Sequence, residues 1–201
     1  MMKMMVLAAL VAGVAIGAAA QESRQDVSLS ALGNIPPQVN GNGSQLTADI
    51  GLGALASYRF MLTPRSALEG NYTFSQYQSH LTDTGAKHYD VHTRQQELSA
   101  AYVYSRNYHN YNPFAEVGVG VLMFSPLKDY DTQSLDAKRQ VSLGGIFGGG
   151  VAYELSPSYD LRLGYRGFLI KAPSFGLDNN NFKTGRYEFI SMPYVGLAYH
   201  F

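Results

Sequence analysis

The sequence predicts an all-β fold, a single eight-stranded antiparallel up-and-down β-barrel that spans a membrane. Three observations carry this prediction. Apolar residues alternate with small or charged ones along most of the chain after Gln21, the period of a strand with two unlike faces. Eight such stretches are joined by connections that alternate between short and long. The apolar face carries no charge in any strand core and gathers its aromatics at strand ends.

Composition sets the frame. The 201 residues suffice for one domain, and glycine (21) and tyrosine (15) are abundant. Aromatics fit a pleated surface, and glycine marks turns and close approaches. The absence of cysteine excludes disulfides, thiol nucleophiles and cysteine metal sites. A formal net charge of zero offers no basic field for nucleic acid.

The chain begins "MMKMMVLAALVAGVAIGAAA": one cation at Lys3, an uncharged apolar run, then Ala18-Ala19-Ala20. This is the pattern of a cleaved signal peptide over 1–20, followed by the barrel domain over 21–201. The run is short for a membrane-spanning helix, which needs about 20 apolar residues. Without Lys3 the mature chain has 14 basic against 15 acidic residues.

The first strand is expected at 25–34. The second, at 45–60, has the clearest alternation: Leu46, Ala48, Ile50, Leu52, Ala54, Ala56, Tyr58 and Phe60 on one face, with small or charged residues on the other. The third and fourth are expected at 67–78 and 93–105, the latter with Leu98, Ala100 and Tyr102 on its apolar face. The fifth, at 113–124, presents Ala115, Val117, Val119 and Val121. The sixth, at 139–154, presents Leu143, Phe147 and Val151; the seventh, at 160–170, presents Leu161, Leu163 and Tyr165. The eighth is expected at 187–201. No sustained 3.6-residue period appears, so no helix is expected in the mature chain. The connections 61–66, 106–112 and 155–159 are short; 35–44, 79–92, 125–138 and 171–186 are long and polar. Long loops therefore gather at one end and both termini at the other.

The same alternation would suit a soluble barrel with its apolar face inward. The aromatics decide for lipid outside. Tyr58, Phe60, Tyr102, Tyr104, Tyr153, Tyr199 and Phe201 fall at the short-turn end, and Phe74, Tyr187 and Phe189 near the other, as two interfacial girdles would. The opposite face carries Asp49, Arg59, Glu69, Glu97, Glu116, Glu154, Arg162, Arg166 and Glu188. In an interior just wide enough for side chains these charges must pair. If Phe60 faces Leu68 across the 61–66 turn, Arg59 faces Glu69. Lipid also demands closure, because an open edge would leave backbone groups unsatisfied, so the last strand must pair with the first.

With these features in place, the chain resembles the small eight-stranded outer-membrane barrels of the outer membrane protein A and X type. The resemblance rests on the signal peptide, the loop alternation, strands such as "PFAEVGVGVLMF" and "LRLGYRGFLI", and the terminal Phe201. It implies an outer-membrane location and a structural or surface-interaction role, with four loops displayed outside. It also implies a C-terminal signal, Tyr199 and Phe201, read by the barrel-insertion machinery. The implied partners are outer-membrane lipids, periplasmic chaperones, that machinery and an unidentified extracellular ligand. No cofactor, metal or catalytic residue is expected. The alternatives are a lipid A-modifying barrel enzyme and a narrow gated pore.

The remaining motifs have ordinary readings. "GLGALA" (51–56) mimics a dinucleotide fingerprint but lies inside an alternating strand. "GGIFGGG" (144–150) lacks the Lys-Ser/Thr of a phosphate loop and reads as close packing. His80, His88 and His92, with Ser79, Asp83 and Asp90, could serve an outer-leaflet enzyme or a metal, but no family motif surrounds them. Pro193, inside the last strand, lacks a ladder donor and is expected to mark a bulge or a loosened pairing near the outer rim.

Overall fold

The structure, a computed structural model, describes residues 24–35, 37, 39–41, 44–83, 88–126, 140–171 and 187–201. The expected signal peptide lies outside these residues, as do most of two long loops, 125–138 and 171–186. No helix occurs among the described residues.

Among the described residues, ten strands form one antiparallel sheet: β1 (Gln25–Asn34), β2 (Val39–Gly41), β3 (Ser44–Ala48), β4 (Gly51–Thr63), β5 (Ser66–Asp83), β6 (His88–Ser105), β7 (Tyr111–Pro126), β8 (Gln140–Ser156), β9 (Tyr159–Lys171) and β10 (Tyr187–His200). Eight of them close the barrel in the ring β1-β4-β5-β6-β7-β8-β9-β10 and back to β1. β1 and β10 make the seam, from Asp26 opposite His200 to Leu32 opposite Tyr194. Closure satisfies the backbone without an edge in the barrel wall.

Each strand keeps one parity inward. Along β1, Asp26, Ser28, Ser30, Leu32 and Asn34 are buried, while alternate residues face out. The outward face is apolar and accessible as only a lipid-covered surface would be: Leu52 is 80% exposed, Leu143 75% and Leu163 64%. The expected girdle is outward and at the short-turn end. Tyr58, Phe60, Tyr102, Tyr104, Tyr153 and Tyr199 are exposed and Phe201 is half-exposed. Tyr111 and Tyr159 extend it, their rings 5.2 Å from those of Tyr153 and Tyr199 respectively.

The expected second strand at 45–60 is two strands. β3 continues the ladder on the long-loop end of β5, with Ala48 opposite Ser79, and β4 resumes with Leu52 opposite Gln76. Three residues on one side therefore oppose two on the other, a bulge at Asp49–Gly51 with Asp49 N–H donating to Gln78 O at 2.9 Å. The expected loop at 79–92 is also shorter, because β5 and β6 stay paired to Thr82 and His88. With β2 and β3 they form a small sheet at the long-loop end of the barrel.

Pro193 makes no bulge. Its register with Tyr165 on β9 is unbroken. On the β1 side the ladder skips it: pairing runs from Asp26 opposite His200 to Leu32 opposite Tyr194, and resumes with reciprocal bonds between Ile35 and Ser191. Gly33, opposite Pro193, thus lacks the donor that any other residue would supply.

Two glycines make room for aromatic rings. A Cβ at inward-facing Gly164 would sit 2.5 Å from Tyr194 Cζ. A Cβ at outward-facing Gly167 would collide with the Phe189 ring, which stacks on Phe147 at 5.4 Å.

Candidate functional site: the barrel interior and its mouth

At mid-height, β6, β7 and β9 bring three expected residues together. Arg166 Nη2 lies 3.2 Å from Glu97 Oε1, and its Nε lies 3.2 Å from Glu116 Oε1. The first contact is a hydrogen bond; the second has the distance of an ion pair without hydrogen-bond alignment. Ser99 donates to Glu97 Oε1 at 2.6 Å and accepts from Arg166 Nη2 at 3.3 Å. All these side chains are buried, so each charge depends on its partner.

The Arg59–Glu69 pair across the short turn is present in the expected register. Arg59 Nε donates to Glu69 Oε2 at 2.7 Å, and Nη2 lies 2.6 Å from the same oxygen. The guanidinium also rests on the Phe114 ring, 5.3 Å from its centroid.

A second cluster sits at the short-turn end. Arg162 Nη2 donates to Asp26 Oδ2 at 2.7 Å, and His200 Nε2 lies 2.7 Å from Asp160 Oδ2. Beside it is a cavity of about 230 Å³ open to that end, lined by Arg59, Asn112, Glu154, Asp160, Arg162 and His200 among others. Asp26 and Asp160 escaped the sequence reading, which weighed the closing seam for its backbone and not for its side chains. Asp26 opposite both Arg59 and His200 is the signal that was available.

Three expected interior residues stand apart. Asp49 is exposed, because the bulge lifts it out of the ladder. Glu154 is exposed at the mouth, where the β8–β9 register shifts. Glu188 is buried and inward but has no cationic partner among the described residues. The buried set, six carboxylates against three guanidiniums, is not balanced by ion pairing alone. Hydrogen bonds from Ser99 and contact with His200 supplement it.

Much of the interior toward the long-loop end is apolar. Leu32, Leu122, Phe124, Phe168, Ile190 and Met192 are buried there on β1, β7, β9 and β10. The facing wall, β5 and β6, is polar, and Asn34 Nδ2 bridges to it by donating to Ser75 Oγ and Gln95 Oε1, both at 3.0 Å. A small-and-charged interior was expected; the inward parity carries an apolar plug as well.

The histidine group resolves in part. In the β5–β6 ladder His80 is opposite Asp90, His88 opposite Thr82 and His92 opposite Gln78. The side chains at 79–91 lie outside the described residues, and His92 is exposed. No group of three or more His, Asp and Glu side chains suited to a metal occurs among the described residues.

The chain matches the family model of the outer membrane protein beta-barrel domain over residues 6–201. Solved structures share the fold. OprG from Pseudomonas aeruginosa aligns at 13% identity with a TM-score of 0.63, covering 90% of this chain and 97% of that one. Neisserial surface protein A aligns at 16% identity with a TM-score of 0.61, covering 89% and 98%. AlkL, solved in lipid bilayers, aligns at 17% identity with a TM-score of 0.53, covering 92% and 94%. No curated protein matches the chain at a significant level.

Proposed function

Because the chain belongs to the outer membrane protein beta-barrel domain family, we propose that it is a non-enzymatic outer-membrane anchor that carries interaction loops at the cell surface. The observation that carries this reading is the division of labour along the barrel axis. Ion pairs and an apolar plug occupy the interior, whereas the long connections and the β2–β3–β5–β6 extension share one end. A filled interior suits a rigid support, and long polar loops on such a support suit recognition. The lipids of the outer membrane surround the barrel, periplasmic chaperones and the insertion machinery deliver it, and the extracellular ligand meets the loops.

The absence of native cysteine gives a direct test. Single cysteines at Ser134 and at Asn180, in the long connections, are expected to react with a membrane-impermeant maleimide on intact cells. A cysteine at Ser158, in a short turn, is expected to react only after the outer membrane is permeabilised. The opposite pattern would invert the topology and end the surface-display reading. Lipid A from cells with and without the protein is expected to have the same mass spectrum; a changed acyl pattern would replace the anchor with an enzyme.

A further inference from the structure

We propose that Arg94 and Phe74 form a docking site on the outer wall of the barrel for the phosphate group of an outer-leaflet lipid. Between the girdle and Arg94, the described outward side chains of the barrel strands carry no charge. Among the residues whose side chains the structure describes, Arg94 on β6 and Lys171 at the end of β9 are the permanently charged residues on that face. Their heights differ. Arg94 is ten residues beyond girdle residue Tyr104 on the same strand. At a rise of about 3.4 Å per residue and a tilt of about 40°, it stands about 26 Å above the girdle. The apolar band of such barrels is about 25 Å tall. Arg94 therefore sits at the height of the outer-leaflet head groups. By the same geometry Lys171, twelve residues beyond Tyr159, stands about 31 Å up, clear of the band.

The guanidinium is held in place. It lies on the outward-facing Phe74 ring, its carbon 5.8 Å from the centroid. Its Nε is shielded and has no acceptor, and no carboxylate pairs with it among the described side chains. The residues directly opposite Arg94, Gln76 and Ser125, are uncharged, and Gln96, the next outward residue toward the girdle, donates to the Tyr72 hydroxyl at 2.8 Å. Below them Tyr72, Leu98 and Val121 offer an apolar surface for acyl chains. A planar cation with free donors, fixed on an aromatic ring above an apolar wall, complements a phosphate that is itself tethered above acyl chains. A free phosphate would use only the cation and gain nothing from the wall below it.

The test uses the purified full chain in detergent, titrated with diphosphoryl lipid A and read by native mass spectrometry. The wild-type protein is expected to retain this lipid at least tenfold better than its dephosphorylated form. Arg94→Gln is expected to lose about tenfold, the usual order for a charge-assisted contact. Arg94→Lys, which keeps charge but not the fork, is expected to fall between them. Lys171→Gln is expected to stay within twofold of wild type. Equal retention by wild type and Arg94→Gln would overturn the proposal. So would an equal loss in Lys171→Gln, which would mean diffuse attraction, or full displacement of the lipid by equimolar inorganic phosphate, which would mean a plain anion site.

Discussion

Arg166 lies between two buried carboxylates, so what matters is what its loss leaves behind. Arg166→Met would leave Glu97 and Glu116 facing each other with no cation between them. Breaking a buried pair in this way costs about 3–5 kcal/mol. Urea unfolding in lipid vesicles is expected to show a drop of that order. A drop below about 1 kcal/mol would mean that the network does not hold the interior together. His109 offers the opposite case. It is the first residue of the two-residue loop between Tyr108 and Tyr111 and has a φ of 57°, a region that disfavours side chains by about 1–2 kcal/mol. Glycine is preferred in such loops. His109→Gly is therefore expected to raise stability by up to about 1 kcal/mol in the same assay, and a loss of stability would show that the imidazole has a role of its own.

At the scale of the element, the last strand carries most of the tension between sequence and structure. Pro193 keeps its register with β9 but gives β1 no donor at Gly33. Pro193→Val is expected to restore that bond. Amide hydrogen exchange should then show residue 193 protected to the same degree as Val195, and fast exchange at 193 would mean that the seam is open there for another reason. Strand type and face were legible because period two persists even where composition changes. Strand ends were less so. The bulge at Asp49–Gly51 and the extension of β5 and β6 toward 83 and 88 are tertiary choices, made by cross-strand pairing that a single strand does not display. Asp49 was misplaced because alternation assigns a face only while the ladder is regular; Glu154 keeps the inward parity opposite Asp160 but stands exposed at the open mouth. The apolar plug was hidden differently. Phe124, Phe168 and Ile190 follow the inward parity, but the charged members of that face drew the reading toward a wholly polar interior.

In the whole molecule three features act together. An apolar outward face, uncharged below Arg94 among the described side chains, and a row of outward tyrosines at the short-turn end fit the barrel to a bilayer. Closure from β1 to β10 removes the edge. The Arg166, Arg59 and Arg162 pairs, with the apolar plug above them, occupy the space that closure creates except for the cavity at the short-turn mouth. Location and architecture were legible in the sequence because the bilayer constrains every strand alike; the ligand of the loops was not, since polar loop composition is compatible with many partners. The central claim, that the interior is locked and the barrel supports rather than conducts, is tested most directly by planar-bilayer recording of the purified full-length protein. A silent bilayer is expected for the wild type at ordinary voltages. Regular, reproducible conductance steps from the wild-type protein would contradict it, and would make the Arg166 pairs a gate instead of a lock.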